Sequence, residues 1–153
     1  MKITEDDLSS DDVAELLGEH LDDMAKHSPA ESIHALDLSA LRAPDVTFWV
    51  VRDNTGQLLG CGALKELDKT HGELKSMRTS SAHRRKGVAS AILSHLVQEA
   101  ASRSYTRLSL ETGSGAPFDP AHALYERFGF RFCAPFADYV EDPFSRFMTL
   151  TLS

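Results

Sequence analysis

A cysteine framework, an apolar run long enough for a membrane and an excess of positive charge are all missing from this chain of 153 residues. Its 2 cysteines, Cys61 and Cys133, lie far apart without a CxxC spacing, which argues against a disulfide framework and against a zinc site. Lysine and arginine together number 16 against 23 acidic residues, which gives a formal net charge of -7. Because a broad nucleic-acid surface needs a basic face, we expect no nucleic-acid partner.

No stretch approaches the ~18 consecutive apolar residues that cross a bilayer, so we expect no membrane partner. The first residues, Met1-Lys2-Ile3-Thr4-Glu5-Asp6-Asp7, also lack the basic and apolar regions of a signal peptide, which favours a cytoplasmic protein. With 42% hydrophobic residues, 153 residues suffice for one domain with a full core and are few for two. We therefore predict a single domain over residues 1–153.

Hydrophobic periodicity predicts alternating strands and helices, hence an α/β fold with a mixed sheet. After a short first strand, Ser9-Ser10-Asp11-Asp12 is typical of a helix start, and Ser28-Pro29-Ala30-Glu31 predicts a second, short helix. The turn residues Asp53-Asn54-Thr55-Gly56 separate two apolar runs and predict a hairpin. The remaining predicted elements are a strand over 72–79, a long helix from Val88, a strand over 106–111, a helix between Asp119 and Gly129, and strands over 130–133 and 145–152.

The most distinctive stretch is the basic turn Arg84-Arg85-Lys86-Gly87-Val88-Ala89, which lies between a predicted strand and a strongly amphipathic helix. Amide groups in the first turn of a helix have no helical partners, and the helix dipole adds roughly half a positive charge there. Gly87 lets the backbone come close to a ligand, and the basic residues supply charge. The turn therefore favours a pocket for a small anion over a plain strand-to-helix connection with solvated basic residues.

Two motifs resemble those of the GNAT superfamily of acetyl-CoA-dependent N-acetyltransferases. Arg84-x-x-Gly87-x-Ala89 is similar to the pyrophosphate turn of that family, and Ala121-x-x-Leu124-Tyr125-Glu126-x-x-Gly129-Phe130 to its last-helix signature. Segments 73–77 and 138–143 further resemble a small bacterial subgroup, some of whose members are labelled indole-acetate acetyltransferases. The resemblance implies a single-domain GNAT fold, with a mixed, mostly antiparallel sheet of about six to seven strands flanked by about four helices.

The resemblance also implies acetyl-CoA as cosubstrate and a segment that binds it. In such proteins the turn amides hold the pyrophosphate, while the preceding strand pairs with the pantetheine arm and directs an amide at the thioester oxygen. One residue departs from the pattern: Phe118 stands where many members have an asparagine that touches pantetheine, and Asp119 is an alternative for that contact. The implied cofactor-binding residues are Met77, Arg78, Thr79, Arg84, Arg85, Lys86, Gly87, Val88, Ala89 and Ser90.

Two residues are candidates for catalysis. Tyr125 lies in the matched helix motif, where family members use the phenol to protonate or hydrogen-bond the departing thiolate; a core aromatic is the alternative. Glu73, on the predicted central strand, is the first candidate for a carboxylate that takes the proton of the amine. Glu66 and Glu111 are alternatives, and a solvated or ion-paired Glu73 fits the sequence as well.

Candidates for the acceptor side lie in the segments that match the family least. They are His34, Phe48 and Tyr139, although an aromatic such as Phe48 is typical of a hairpin core. His20, His27 and His34 recur every seven residues, but the predicted helix break separates the third from the others. We therefore predict surface histidines and no metal site.

Taken together, the motifs favour an enzyme that transfers acetyl from acetyl-CoA to a primary amine by direct attack in a ternary complex. Neither cysteine lies in a nucleophile motif, so no covalent acyl-enzyme is needed. The alternative is a GNAT fold that binds CoA without transfer chemistry and acts as a sensor or interaction module. The acceptor stays open, and the alternating strand Phe147-Met148-Thr149-Leu150 suggests an edge for a homodimer.

Overall fold

A computed structural model describes residues 1–33, 37–84 and 87–152. Within them the chain forms β1 (Lys2–Glu5), α1 (Asp11–His27), α2 (Leu38–Leu41), β2 (Val46–Arg52), β3 (Leu58–Asp68), β4 (His71–Thr79), α3 (Val88–Ser102), β5 (Arg107–Gly113), α4 (Asp119–Arg127), β6 (Arg131–Cys133) and β7 (Ser145–Thr151). The strands form one sheet in the order β1-β2-β3-β4-β5-β7-β6. β4 and β5 are parallel and the other neighbouring pairs are antiparallel, so the sheet is mixed and mostly antiparallel, as predicted.

Helices cover both faces of the sheet, each over its own apolar core. α1 and α2 contribute Leu16 and Leu41 to a cluster that includes Phe48 and Cys61 of the central hairpin. α3 and α4 pack over the opposite face, because the alternate residues of the same strands belong to the second cluster. The apolar stripe predicted for the long helix is confirmed, since its buried residues are Val88, Ile92, Leu93, Leu96 and Ala100.

The second helix begins later than the sequence predicts. Ser28 ends α1, and the residues after Pro29 form only a 3₁₀ turn over Ala30–Ser32. α2 begins after Asp37, whose side chain accepts a hydrogen bond from an amide of the first turn. The prediction of a helix start at Ser28 is therefore wrong. A capping sequence provides hydrogen-bond partners only for the first amides of a helix. Formation of the first turn is unfavourable, and a helix is stable only when further residues add hydrogen bonds that offset this cost.

Strand β4 contains a bulge that shapes the sheet. Its register with β3 shifts by one residue between the pairs Ala63–Lys75 and Cys61–Arg78, so β4 is the longer strand there. Within the extra length, Ser76 has a φ of 53°, in the left-handed region. A bulge bends its strand and increases the local twist. β4 consequently pairs with β5 over its first four residues only, and beyond them the two parallel strands separate.

Strand β7 lies inside the sheet. β6 pairs with Phe147–Thr149 of β7, and β5 pairs with its other side. The prediction that this strand provides a free edge for a homodimer is therefore wrong for these residues, and dimer formation itself stays a prediction. None of the helices among the described residues is both long and apolar enough to cross a membrane.

Gly60 of β3 lies where the sheet packs against the start of α3, and no space is left there for a side chain. A Cβ atom there would stand 2.7 Å from the carbonyl oxygen of Arg78 and 2.8 Å from a methyl carbon of Val88. We expect G60A to lower the free energy of unfolding by about 1–3 kcal/mol, because a backbone carbonyl and a buried first turn cannot give way. Urea unfolding followed by circular dichroism measures the change.

Gly18 of α1 provides the matched control for this substitution. Its Cβ would meet no atom within 4 Å, so G18A should raise the free energy of unfolding by up to about 1 kcal/mol through helix propensity. A G60A protein as stable as the wild type would contradict the tight packing.

Candidate active site

The separation of β4 and β5 opens a cleft that connects the two faces of the sheet. Its cavity has a volume of about 140 Å³, and its wall combines residues of α1, β4, β5 and α4. The lining residues are His20, Met24, Leu74, Lys75, Ser76, Met77, Leu110, Glu111, Thr112, Phe118, Ala121 and Tyr125. Since successive strand residues point to opposite faces, groups from both sides of the sheet meet here.

The basic turn leads from the end of β4 into α3. Gly87, the residue before the helix, has φ of 80° and ψ of 9°, a left-handed conformation that glycine adopts without steric cost. Gly87 has no side chain that could cap the helix start, and no side chain of the described residues bonds to the amides of Val88–Ser90. Arg84 is exposed beside the turn, whereas Arg85 and Lys86, also predicted to bind the anion, lie outside the described residues.

Arg78, predicted to bind the cofactor, is engaged by α1. Its guanidinium lies 2.6 Å from a carboxylate oxygen of Glu19 and 2.6 Å from one of Asp23, and its side chain is 11% exposed. The hydrogen bonds from Arg78 lower the pKa of both carboxyl groups. Asp23 also lies 3.4 Å from Arg84. The side chain of Arg78 thus fastens α1 to the end of β4.

The bulge of β4 forms one wall of the cleft. Ser76 and Met77 both line the cavity, and the buried Ser76 hydroxyl has no hydrogen-bond partner among the described residues. β4 has no paired strand on its β5 side beyond Leu74 in the described sheet. Backbone groups that face the cleft are therefore open to an extended ligand that pairs like an added strand. Thr79, the partly buried last residue of β4, ends this wall.

Tyr125 places a phenol at the cleft from α4. The residue is 8% exposed, and its ring packs edge-on against Phe130 with 5.7 Å between centroids. Burial raises the pKa of Tyr125 to about 12. The phenol is therefore protonated at neutral pH, and its O–H is able to donate a hydrogen bond. Both interpretations from the sequence apply to its position, because the residue belongs to the core cluster and also lines the cavity.

Glu111 is the carboxyl group that β5 contributes to the cavity. Burial raises its pKa from 4.5 to about 7. The neighbours contribute less: Ser145 and Lys75 lower the pKa, while Glu73 and Asp142 raise it. A carboxyl group that titrates near neutrality can both accept and release a proton at that pH, which is what a general base requires.

Glu73, the first candidate for the base, lies in a buried cluster with Lys75 and Tyr139. Its side chain is 3% exposed and is not part of the cavity wall described above. Tyr139 Oη donates a hydrogen bond to Glu73 Oε2 at 2.6 Å, and Lys75 Nζ donates to the same oxygen at 3.3 Å. Burial, together with the charge of Glu73, raises the pKa of Tyr139 well above its usual range, so its phenol remains a donor.

Two other predicted residues lie away from the cleft. Phe48 is 3% exposed and packs in the core beneath α1, as aromatic residues of a hairpin commonly do. Glu66 lies near the C-terminal end of β3 and accepts a hydrogen bond from Tyr105 Oη at 2.7 Å. His34 lies outside the described residues. Of the two acceptor-side candidates among the described residues, Tyr139 is the one connected to the cleft, because its hydroxyl contacts Lys75 of the cavity wall.

His20, which was predicted to lie at the surface, is a cleft residue. It lines the cavity with Met24, and burial lowers its pKa to about 4, with a smaller lowering from Arg78 and a rise from Asp23. The imidazole is neutral at pH 7, and the surface prediction is wrong for this residue. Nothing in the α1 pattern marks it, because the sequence shows which face of a helix is apolar but not what that helix borders.

Phe118 closes the cleft between α1 and α4. Its ring lines the cavity and lies so close to Gly113 that a Cβ at that glycine would overlap the ring. The ring also meets His27 of α1 edge-on, with 6.0 Å between centroids. Apolar surface thus occupies the place where many members of the family have an asparagine, while Asp119 is exposed at the start of α4.

This architecture matches a known family. The family model described as "Acetyltransferase (GNAT) family" matches residues 11–130. The chain belongs to the GNAT acetyltransferase family. The uncharacterized N-acetyltransferase YsnE of Bacillus subtilis (strain 168) is 59% identical over 152 residues, which cover 99% of this chain and 100% of YsnE.

Solved structures show the same fold. A Klebsiella pneumoniae protein assigned as an acyl-CoA N-acyltransferase superposes with a TM-score of 0.79 at 28% identity, covering 99% of this chain and 97% of that one. Rv2747 from Mycobacterium tuberculosis, whose crystal structure is a complex with CoA and NLQ, gives a TM-score of 0.72 at 19% identity over 100% of both chains. The predicted family, fold and acetyltransferase class are confirmed.

The raised pKa of Glu111 has a consequence for stability. Between its ordinary value of 4.5 and about 7, the folded state binds more protons than the unfolded state, so the free energy of unfolding falls as the pH rises. This shift corresponds to about 3 kcal/mol. We expect E111Q, which lacks the titration, to gain up to that amount relative to the wild type between pH 5 and pH 8 in urea unfolding.

E15Q, which removes an exposed carboxylate of α1, is the matched control for the loss of one charge. A relative gain for E111Q that does not exceed the gain for E15Q would contradict the burial of Glu111 in its charged form.

Proposed function

We propose that the protein transfers the acetyl group of acetyl-CoA to a primary amine, on a small molecule or on a protein, by direct attack in a ternary complex. The observation that carries the proposal is the cleft through the sheet, with Glu111 and Tyr125 on its wall and an uncapped helix start beside the end of β4. Such a cleft lets donor and acceptor approach one reacting centre from different sides of the sheet.

The donor side suits acetyl-CoA. Its pyrophosphate is an anion, and the left-handed Gly87 leads into free amides at the positive end of the α3 dipole. We assign the pyrophosphate to Arg84 and to the turn through Ser90, including Arg85 and Lys86, and the pantetheine arm to the backbone of Met77 and Thr79. The presence of CoA in Rv2747, which shares the fold, supports this donor.

Glu111 is the base in our proposal, with Glu73 as the alternative. An alkylamine with a pKa of about 10.4 is about 99.9% protonated at pH 7, and freeing its lone pair costs roughly 4–5 kcal/mol. Burial gives Glu111 a pKa of about 7, which makes proton transfer to it easier by about 3 kcal/mol than to a carboxylate of ordinary pKa. Glu111 lines the cavity, and Glu73 lies in its own hydrogen-bonded cluster.

In the reaction the amine nitrogen attacks the thioester carbonyl. Glu111 takes one proton of the bound ammonium group, which frees the nitrogen lone pair. The C–N bond then forms, the C–S bond breaks, the second proton lost by the nitrogen passes to water, and the sulfur leaves as a thiolate. Tyr125 stabilises that thiolate by a hydrogen bond. Full proton transfer from a phenol of pKa about 12 to a thiolate of pKa ~8.5 would cost about 5 kcal/mol, so hydrogen bonding is its main contribution.

Removal of the two groups from the cleft should reduce turnover to different extents. We expect E111Q to lower kcat by about 10²–10³-fold and Y125F by about 10–10²-fold, because the first removes the base and the second a hydrogen bond to the leaving sulfur. Thiol release from acetyl-CoA is measured against a panel of butylamine, putrescine, tryptamine and a lysine-containing peptide.

E66Q and Y105F are the matched controls. They make the same substitutions in the Glu66–Tyr105 pair, which lies away from the cleft, and should keep the wild-type kcat. Wild-type rates for both E111Q and Y125F would contradict the catalytic roles assigned to Glu111 and Tyr125. Binding of CoA without thiol release across a wider amine panel would instead support the inactive sensor.

Gly87 allows a separate test of the donor site. We expect G87A to raise KM for acetyl-CoA by about 5–10-fold, because the added Cβ strains the left-handed turn and stands where the phosphates approach. Gly56, at φ 89° in the β2–β3 turn, is a matched control, since an alanine there meets the same strain away from the cleft. Equal KM values for G87A and G56A would contradict the pyrophosphate site.

A further inference from the structure

We propose that Glu73 is a positioning residue: it holds the Lys75 ammonium in the buried cluster with Tyr139, and so prevents Lys75 from forming an ion pair with Glu111. Glu111 is thereby left able to accept the proton of the acceptor amine. The inference rests on the proposed function, because it takes Glu111 as the base.

The hydrogen bonds of the cluster converge on Glu73. Lys75 Nζ lies 3.3 Å from Glu73 Oε2 and 2.9 Å from Tyr139 Oη. The Tyr139 hydroxyl donates in turn to the same oxygen of Glu73 at 2.6 Å. The side chain of Lys75 is only 8% exposed, and these contacts help to hold it against the sheet. Loss of the Glu73 charge removes the anionic partner at the centre of this arrangement.

Lys75 and Glu111 share the cavity wall and one face of the sheet. Glu73 is paired with Ser109, and Lys75 and Glu111 each follow two residues later on their own strands. Because strand residues two apart point to the same side, these side chains face one another across the opening between β4 and β5. Without Glu73, Glu111 is the carboxylate that borders the cavity beside Lys75.

The charges around Glu111 determine the direction of the effect. Glu73 and Asp142 raise its pKa and Lys75 lowers it. Removal of Glu73 therefore acts twice in the same direction, since it deletes one anion and releases the cation toward Glu111. Among the other described residues that line the cavity or belong to the cluster, His20 of α1, Tyr125 of α4 and Tyr139 of the β6–β7 loop are neutral at pH 7.

Glu73 itself is poorly placed to take the proton from the amine. Its side chain is 3% exposed, and the oxygen that faces the cluster already accepts hydrogen bonds from a phenol and an ammonium. The phenol of Tyr139 cannot relay the proton as a base, because burial and the Glu73 charge raise its pKa well above its usual range.

Titration of Glu111 in the full-length protein tests the proposal directly. Protein labelled with ¹³C at the glutamate side-chain carboxyl is followed by NMR from pH 4 to pH 9, and the resonance absent from E111Q identifies Glu111. We expect its midpoint to fall by about one pH unit in E73Q and to rise by about one unit in K75M. E73D keeps the charge and should stay closest to the wild type.

The acid limb of the pH profile of kcat/KM should move with these midpoints, measured with the most active amine of the panel. E73Q should lower kcat at pH 7 by about 3–10-fold, through weaker basicity of Glu111, and should keep measurable activity. A residue with a structural role alone would reduce activity without moving the acid limb in opposite directions for E73Q and K75M.

Two results would overturn the inference in distinguishable ways. An inactive E111Q with an unmoved Glu111 midpoint in both E73Q and K75M leaves Glu111 as the base and removes the positioning role. The second result is an E73Q protein that is inactive at every pH together with an E111Q protein whose pH profile keeps its acid limb. That result would make Glu73 the base and would overturn the assignment of Glu111 as well.

Discussion

The parallel pairing between β4 and β5 ends after four residues, and the cleft depends on where it ends. Parallel neighbours require a crossover, which α3 provides, so the start of that helix lies beside the end of β4. The bulge at Ser76 then bends β4 away from β5 and leaves part of its backbone unpaired. The helix start, the unpaired backbone and the cavity that joins both faces thus follow from one irregularity in one strand.

The second constraint is electrostatic. Among the described residues whose charges act on Glu111, Glu73 and Asp142 are anionic and Lys75 is cationic, and burial weakens the screening of these charges. Burial raises the pKa of Glu111 to about 7, so this carboxyl is only partly ionised at pH 7, and lowers that of His20 to about 4, so the imidazole is neutral. A wall of this kind does not repel an ammonium group, and one member of it can take up a proton.

Much of the fold could be predicted because its signals are local and periodic. The stripe of α3 and the turn at Asp53–Gly56 each specify their element within a few residues, and both elements form as expected. The start signal at Ser28 is equally local, but there the chain makes one 3₁₀ turn and begins its helix after Asp37. The left-handed Ser76 carries no such signal, since serine has no preference that would mark a bulge.

The site residues likewise fall into those that a local motif predicts and those that it does not. Gly87 and Tyr125 belong to short motifs, and each lies where its motif predicts, at the start of α3 and on the inner side of α4. The choice between Glu73 and Glu111 could not be made from the sequence, because both alternate with apolar residues on strands and face the same side of the sheet. Glu73 lies within the last paired residues of β4, whereas Glu111 is the first residue of β5 after the pairing ends at Leu110. The same type of side chain is therefore enclosed on one strand and open to the cavity on the other, and the bulge that decides between them is the feature with no sequence signal.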